Sequence, residues 1–144
     1  MNLFGMLEVS GSALSAERLR AEVISANMAN AETTRTPRGG TYRRQLVVFR
    51  AHPTTRFPLL LASLRSQPQA GVKVDRVVAD GSPLPRRYEP GHPDADPSGY
   101  VTYPNVNPVM EMTDLLGAVR AYQLNAAAVQ AAKNMIQQSF QILS

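Results

Sequence analysis

Apolar residues recur every seven positions along the last quarter of the chain. One such line of positions consists of Leu115, Tyr122, Val129, Ile136 and Leu143. A second line consists of Met112, Val119, Ala126, Lys133 and Phe140, and only the lysine interrupts it. The segment has no proline after Pro108 and is rich in the strong helix formers Ala, Leu, Met and Gln. A strict seven-residue period predicts a helix over residues 109–144 that packs on a partner helix in a coiled coil.

The first thirty residues supply a partner helix within the same chain. They contain no proline, and their apolar residues at coiled-coil spacing are Leu3, Leu7, Leu14, Ala21, Ile24 and Met28. A helical hairpin that buries its own core is one interpretation of the two stripes. Further apolar residues lie off both stripes, namely Phe4, Met6, Val23, Leu116, Leu124, Met135 and Ile142. Because a closed hairpin would leave these in water, the pattern favours contact with other chains.

The middle of the chain changes from helical to strand periodicity. Strands are predicted over residues 42–51 and 71–79, with a β-bulge near Asp75 and Arg76, and shorter strands over 86–89 and 100–103. Residues 53–68 fit a short helix or a buried strand equally well. The predicted fold class is α+β, with an N-terminal helix (1–30), a small β-rich middle region (31–108) and a C-terminal helix (109–144), the two helices forming a coiled-coil layer.

The charge of the chain is concentrated in its middle region. The formal net charge is +4, and eight basic residues lie between Glu32 and Asp75 with no acid among them. A stretch of this kind, from Arg35 to Lys73, suits phosphates or an acidic protein surface, and it also suits a solvated arginine-rich face.

Several classes of protein are disfavoured by what the sequence lacks. With no cysteine, disulfides and thiolate metal sites are excluded. No apolar run reaches the ~20 residues of a membrane-spanning helix, so the chain is predicted not to span a membrane. The start has no basic region before its apolar residues, so we expect no cleaved signal peptide.

The only cluster that resembles a metal or acid–base site consists of His92, Asp94 and Asp96 in a Pro/Gly-rich loop. It lacks the additional oxygen ligands of a calcium loop and a second nearby histidine for zinc. Aspartates in such loops usually cap turns. We therefore predict no enzyme, no metal and no cofactor.

Several separated strings, taken in order, resemble the flagellar axial proteins that form rod and hook, and within them the proximal rod proteins. They are residues 25–31 (SANMANA), 31–44 (AETTRTPRGGTYRR), 88–96 (YEPGHPDAD), 99–101, 104–108 (PNVNP), 111–115 and 120–125. The residues that carry the resemblance are Asn27, Asn30, Ala31, Thr36, Gly39, Gly40, Tyr42, Pro90, Gly91, His92, Pro104, Asn105 and Asn107.

The resemblance implies a structural subunit of the proximal rod of the bacterial flagellar basal body. Such a subunit polymerises with itself and neighbouring rod proteins into a hollow rod in the periplasm that transmits torque. The resemblance also implies export by the flagellar type III apparatus, without a cleaved signal. Its terminal helices would form an inner coiled-coil layer, and they would be poorly ordered in the free monomer. The residues expected to pack between subunits are Leu7, Leu14, Ile24, Met28, Met112, Leu115, Val119, Tyr122, Val129, Ile136, Phe140 and Leu143. Asn27 and Asn30 are expected to hydrogen-bond backbone at the helix end.

Two rival hypotheses come from other classes. The first is a basic nucleic-acid-binding module that uses residues 35–73 on phosphates, with affinity that falls steeply as salt rises. The second is a metal-dependent hydrolase centred on His92, Asp94 and Asp96. Because the resemblance favours the rod, the predicted partners exclude nucleic acid.

Overall fold

The computed structural model describes residues 3–53 and 70–143. In chain order the elements are α1 (Leu3–Ala29), β1 (Gln45–Pro53), β2 (Ala70–Ala79), β3 (Arg86–Tyr88), β4 (Tyr100–Thr102) and α2 (Pro108–Leu143). The strands form two separate antiparallel pairs, β1 with β2 and β3 with β4. This confirms the predicted α+β class. Apart from residue 53, the segment that periodicity left unassigned lies outside the described residues.

The two long helices pack against each other through small side chains. In the described ranges, the buried apolar residues are Ala16, Ile24, Val101, Ala118 and Ala132. In α2, Ala118 and Ala132 are 1% and 0% exposed, and Glu111 shares their heptad position. The buried line of α2 therefore runs one position before the predicted Met112 line, because alanines allow the helices to approach closely.

The start of α2 is specified locally by Asn107 and Pro108. The Asn107 carboxamide oxygen accepts hydrogen bonds from the backbone N–H groups of Val109 and Met110, at 3.0 and 3.3 Å. Proline at the first helical position has a suitable φ and no N–H that would be left unsatisfied. These two residues explain why the helix begins immediately after the last proline of the chain.

The β1–β2 ribbon lies against α1 and contains the predicted bulge. Val48 pairs with Arg76 but Phe49 pairs with Val74, so Asp75 is the extra residue. Ser12 connects the ribbon to the helix, because its hydroxyl accepts a hydrogen bond from the Val72 N–H at 3.0 Å.

The first strand starts at Gln45, three residues later than the predicted start at Tyr42. The backbone N–H of Tyr42 donates to Thr33 at 3.2 Å, and that of Arg44 donates to the Asn105 side chain at 2.9 Å. These two amides therefore donate hydrogen bonds to loop residues and not to a neighbouring strand. Among the described residues, no helix has the length and apolar character needed to span a bilayer.

Candidate assembly site

Asn27 lies at the point where α1, β1 and α2 meet, and its side chain is 1% exposed. Its Nδ2 donates to the Gln45 carbonyl at 2.9 Å and to Glu111 Oε2 at 3.0 Å. Its Oδ1 accepts from the Tyr42 hydroxyl at 2.9 Å and from the Gln45 N–H at 2.8 Å. A carboxamide has two N–H donors and two lone pairs, so every hydrogen-bonding position of Asn27 is used.

Glu111 is the buried charge of this junction, and Arg44 is its counterion. Glu111 is 1% exposed, and Arg44 Nε donates to its Oε1. The same guanidinium reaches Asp114 at 3.1 Å with its other end. Burial first, and then the negative charge of Glu111, raise the pKa of Tyr42 above its usual 10.0. The phenol therefore keeps the proton with which it binds Asn27.

Asn30 has a more local role than Asn27. Its Nδ2 donates to the Ala26 carbonyl at 2.9 Å, and its Oδ1 accepts from the Thr33 hydroxyl at 3.1 Å. The Ala31 N–H continues the same turn by donating to Met28 at 3.2 Å. The helix therefore ends in a turn that its own asparagine closes.

The loop after α1 turns back at two glycines. Gly39 and Gly40 have φ values of 83° and 76°, which side chains with a Cβ rarely adopt. The Thr36 N–H donates to Gly40 and the Gly39 N–H donates to Thr36, both at 2.9 Å. This turn positions Tyr42, whose hydroxyl reaches the junction.

The second hairpin, β3–β4, is held together by aromatic contacts. The rings of Tyr88 and Tyr100 meet edge to face at 5.3 Å, and those of His92 and Tyr103 at 6.4 Å. Arg87 lies 4.8 Å over the Tyr103 ring. In the loop between the strands, Pro90 and Gly91 are exposed, whereas Pro104, beyond β4, is buried.

Gly99 closes this loop in a conformation that only glycine adopts easily. Its φ is +79°, and a Cβ there would lie 2.8 Å from Tyr88 Cε2 and 3.2 Å from Pro90 Cβ. We expect Gly99→Ala to destabilise the chain by about 1–2 kcal/mol from backbone strain alone. Near-ultraviolet circular dichroism should also change, because the Tyr88 ring must move. A urea titration measures the loss of stability.

The matched control for Gly99 is Gly91→Ala in the same loop. A Cβ at Gly91 meets nothing within 4 Å, and the backbone there is not left-handed. Its effect should stay within about 0.5 kcal/mol, as is usual for surface positions. Equal effects at the two glycines would show that the Gly99 conformation is not the cause.

The residues of the candidate metal cluster order the loop instead of converging on one point. Asp94 accepts from the Thr34 hydroxyl at 2.7 Å and pairs with Arg35 at 3.0 Å, while His92 Nδ1 accepts from the Asp94 N–H at 3.0 Å. Asp96 accepts from the Tyr100 N–H at 2.9 Å, and mainly for that reason its pKa is lowered. Within residues 3–53 and 70–143, no group of three or more acidic or histidine side chains could hold a metal ion.

In the described part of the basic stretch, four of the six basic residues are engaged by acceptors within the chain, and Arg56 and Arg65 lie outside the described residues. Arg50 pairs with Asp75 at 3.1 Å, and Arg43 donates to the Asp80 and Ser82 carbonyls at 3.2 Å. With Arg35 and Arg44, this makes four arginines whose groups bind the protein itself. Arg38 and Lys73 are exposed, with no ion pair in the described part of the chain.

The residues predicted to pack between subunits occupy two different environments. Ile24 is buried, and an intermediate group flanks the helix seam: Leu7, Leu14, Met28, Leu115, Val129 and Ile136. Four others are exposed: Met112 (55%), Val119 (41%), Tyr122 (42%) and Phe140 (70%). Of these, Tyr122 lies beside α1, where it lines a cavity with Leu14 and Leu19. The side chain of Leu143 lies outside the described residues. Contact of these residues with other subunits stays a prediction.

Sequence reasoning missed Glu111 and Arg44 as the centre of the junction. The sequence signal that could have identified Glu111 is its position. It shares a heptad position with the small residues Ala118, Asn125 and Ala132. A carboxylate at the head of a line of small residues indicates a buried, paired charge at a close helix contact.

Comparison with known proteins gives two family matches, one at each end of the chain. Residues 7–35 match the family "Flagella basal body rod protein", and residues 98–142 match "Flagellar basal body rod FlgEFG protein C-terminal". The first match contains Asn27 and the second contains Glu111, so the junction joins the two matched segments.

Full-length relatives carry one common name, flagellar basal-body rod protein FlgC. The protein of Borreliella burgdorferi is 41% identical and that of Bacillus subtilis 37% identical, each over 99% of both chains. The protein of Salmonella typhimurium is 37% identical over 94% of both chains.

Proposed function

Because this chain belongs to the FlgC family of flagellar basal-body rod proteins, we propose that it builds the proximal rod by polymerising through its two terminal helices. The family is structural and not enzymatic, and the chain is a structural subunit of the basal-body rod.

One observation carries the proposal: the chain buries small side chains and exposes large ones. Three of the five buried apolar residues in the described ranges are alanines. The exposed large apolar residues of the helices are Phe4, Val109, Met110, Met112, Leu116, Val119, Tyr122, Leu124, Met135 and Phe140. Burying one such side chain fully is worth about 1.5–3 kcal/mol, so neighbouring subunits that cover these faces of α2 would stabilise it substantially.

The exposed apolar faces of the helices also fit the proposed route of the subunit. We propose export in an unfolded state through the flagellar type III apparatus, with these faces covered only in the assembled rod. We expect the subunit to leave without a cleaved signal and to assemble in the periplasm. Its helices would become fully ordered when they pack with other rod proteins around a central channel, forming the hollow, torque-transmitting rod.

The outer face of α2 provides the test of polymerisation. In a strain that lacks its own copy of the gene, Leu116→Gln combined with Leu124→Gln should abolish rod assembly and swimming. Each lost side chain should weaken subunit contacts by roughly tenfold or more. Since the two leucines are 55% and 72% exposed, the helicity of the isolated chain should not change.

The matched control replaces the same two leucines with methionine. Methionine keeps the apolar volume, so rods should assemble and cells should swim. If the glutamine variant assembled as well as the methionine variant, this face would not be a subunit contact.

A further inference from the structure

The face of α2 that packs on α1 follows one line of positions seven residues apart. The line consists of Glu111, Ala118, Asn125, Ala132 and Ser139. The Asn125 amide donates to the Ala121 carbonyl at 2.9 Å. The Ser139 hydroxyl donates to the Met135 carbonyl, also at 2.9 Å. These two polar side chains therefore find partners within α2 itself. Glu111 differs, because its carboxylate binds Asn27 of α1 and Arg44, which precedes β1.

The apolar repeat alone says little about register, meaning which residue of α2 lies opposite Asn27. A displacement by seven residues would put Ala118 there in place of Glu111. The neighbouring line keeps an apolar or aromatic side chain at every such step: Leu115, Tyr122, Val129 and Ile136. A seven-residue repeat specifies that two helices pack, whereas a buried polar residue can specify their register.

The length of α2 permits such a displacement. Asn27 touches Glu111, and Leu14 lines the same cavity as Tyr122, so the two helices are antiparallel. At ~1.5 Å per residue in both helices, the start of α1 lies level with about residue 135 of α2, which continues to Leu143. The overhang is therefore about one heptad long. A displacement that moved it onto α1 would keep the whole of α1 covered.

The displaced register would leave the junction without its acids. Asn27 is 1% exposed and would lose the carboxylate that accepts from its Nδ2 at 3.0 Å. The Arg44 side chain, which is 22% exposed, would lose both Glu111 and Asp114, since α2 carries the two acids together. Buried polar groups that lose their partners are costly, so this loss opposes the displacement.

We propose that Glu111 fixes the register of α2 on α1, because it can bind Asn27 and Arg44 in one register alone. The role is one of specificity, and it concerns the fold of a single chain, so it does not depend on polymerisation. Its consequence for a rod subunit is geometric. A displacement of one heptad would move the outer face of α2 by about 10 Å relative to α1. Copies in two registers would then present different surfaces to a neighbouring subunit.

Spin labels on the isolated full-length chain measure the register, since the natural chain has no cysteine. Ser25→Cys and Gln137→Cys place nitroxides on two exposed positions about 36 Å apart along the helices. The background is Asn125→Ala, because asparagine is larger than Ala118, whose buried place it would enter. In this background, pulsed electron paramagnetic resonance should give one distance while Glu111 is present. Adding Glu111→Ala should produce a second population about 10 Å shorter, because positions 111 and 118 then carry the same residue.

Moving the acid by one heptad is the sharper test. In the same background, Glu111→Ala combined with Ala118→Glu should give the shorter distance alone, since the new carboxylate meets Asn27 and Arg44 only in the displaced register. The control is Asp114→Ala, which removes the other acid on Arg44. The Asp114 side chain is 43% exposed, and the control should keep the longer distance alone.

Each outcome decides the proposal. A folded Glu111→Ala variant with the longer distance alone overturns it, and so does a shorter population in the Asp114→Ala control. Far-ultraviolet circular dichroism shows whether each variant keeps its helices. If Glu111→Ala fails to fold, the variant with the moved acid decides, and either the longer distance or a broad distribution in that variant overturns the role of Glu111.

These results separate failure of the inference from failure of the proposed function. If the Leu116 and Leu124 glutamine variant assembles normally, polymerisation through that face is wrong and the register measured in the isolated chain stands. If that variant blocks assembly but the moved acid leaves the longer distance, polymerisation stands and the role of Glu111 in the register is wrong.

Discussion

Replacing Asn27 with aspartate is expected to lower the free energy of unfolding by about 3–5 kcal/mol. The two side chains have the same shape, but Nδ2 becomes an oxygen that faces two acceptors. These are the Gln45 carbonyl at 2.9 Å and Glu111 Oε2 at 3.0 Å. Two attractions become repulsions at a position that is 1% exposed. Urea unfolding followed by far-ultraviolet circular dichroism measures the loss, and rod assembly in the complemented strain should fail.

Asn30→Asp is the matched control, three residues further along the same segment. The Asn30 carboxamide donates one exposed hydrogen bond to the Ala26 carbonyl at 2.9 Å. Losing it should cost no more than about 1 kcal/mol, because water replaces the donor. Equal losses at Asn27 and Asn30 would contradict the junction, since they would leave only a general effect of negative charge at the helix end.

The elements of the fold were predictable because their signals are local. The absence of proline, together with the repeating apolar positions, predicted both helices. The observed α2 starts one residue before the predicted start. A segment rich in β-branched and aromatic residues predicted β1, and alternation predicted β2, with its break at Asp75 predicting the bulge. The two short strands were also predicted, at 86–89 and 100–103. The start of β1 was wrong by three residues, because the amides of Tyr42 and Arg44 bind groups that lie close only in the folded chain.

The arrangement of the helices was less predictable than their existence. Periodicity identifies which faces are apolar, but not whether a face meets its own chain or a neighbour. The structure puts Ala118 and Ala132 in the seam and leaves the Met112 stripe in solvent. Small residues permit the closest approach of two backbones, whereas large ones need a wider site.

The junction could not be found from local pattern. Asn27 reads locally as a helix-stop residue, and that interpretation is adequate for Asn30. The actual partners of Asn27 are Gln45 and Glu111, which lie 18 and 84 positions away in the sequence. Only the packing of α1 against α2 and β1 in the folded chain brings these groups together.

Ala132→Leu tests whether that seam persists in the working protein. Ala132 is 0% exposed between the helices, so a larger side chain must push α1 away from α2. Overpacking of this kind should lower the free energy of unfolding by up to about 3 kcal/mol. It should also prevent rod assembly, because moving one helix changes the outer face that neighbouring subunits meet. Urea unfolding and counts of purified basal bodies measure the two effects.

Ala131→Leu is the control, because Ala131 is the preceding residue of the same helix and is exposed. It adds the same three carbons with the same helix propensity, so its effect on monomer stability should stay within about 0.5 kcal/mol. If Ala132→Leu assembled rods as readily as Ala131→Leu, the two helices of one chain would have to part in the rod and pack on other subunits. The close intramolecular seam would then belong to the free subunit alone.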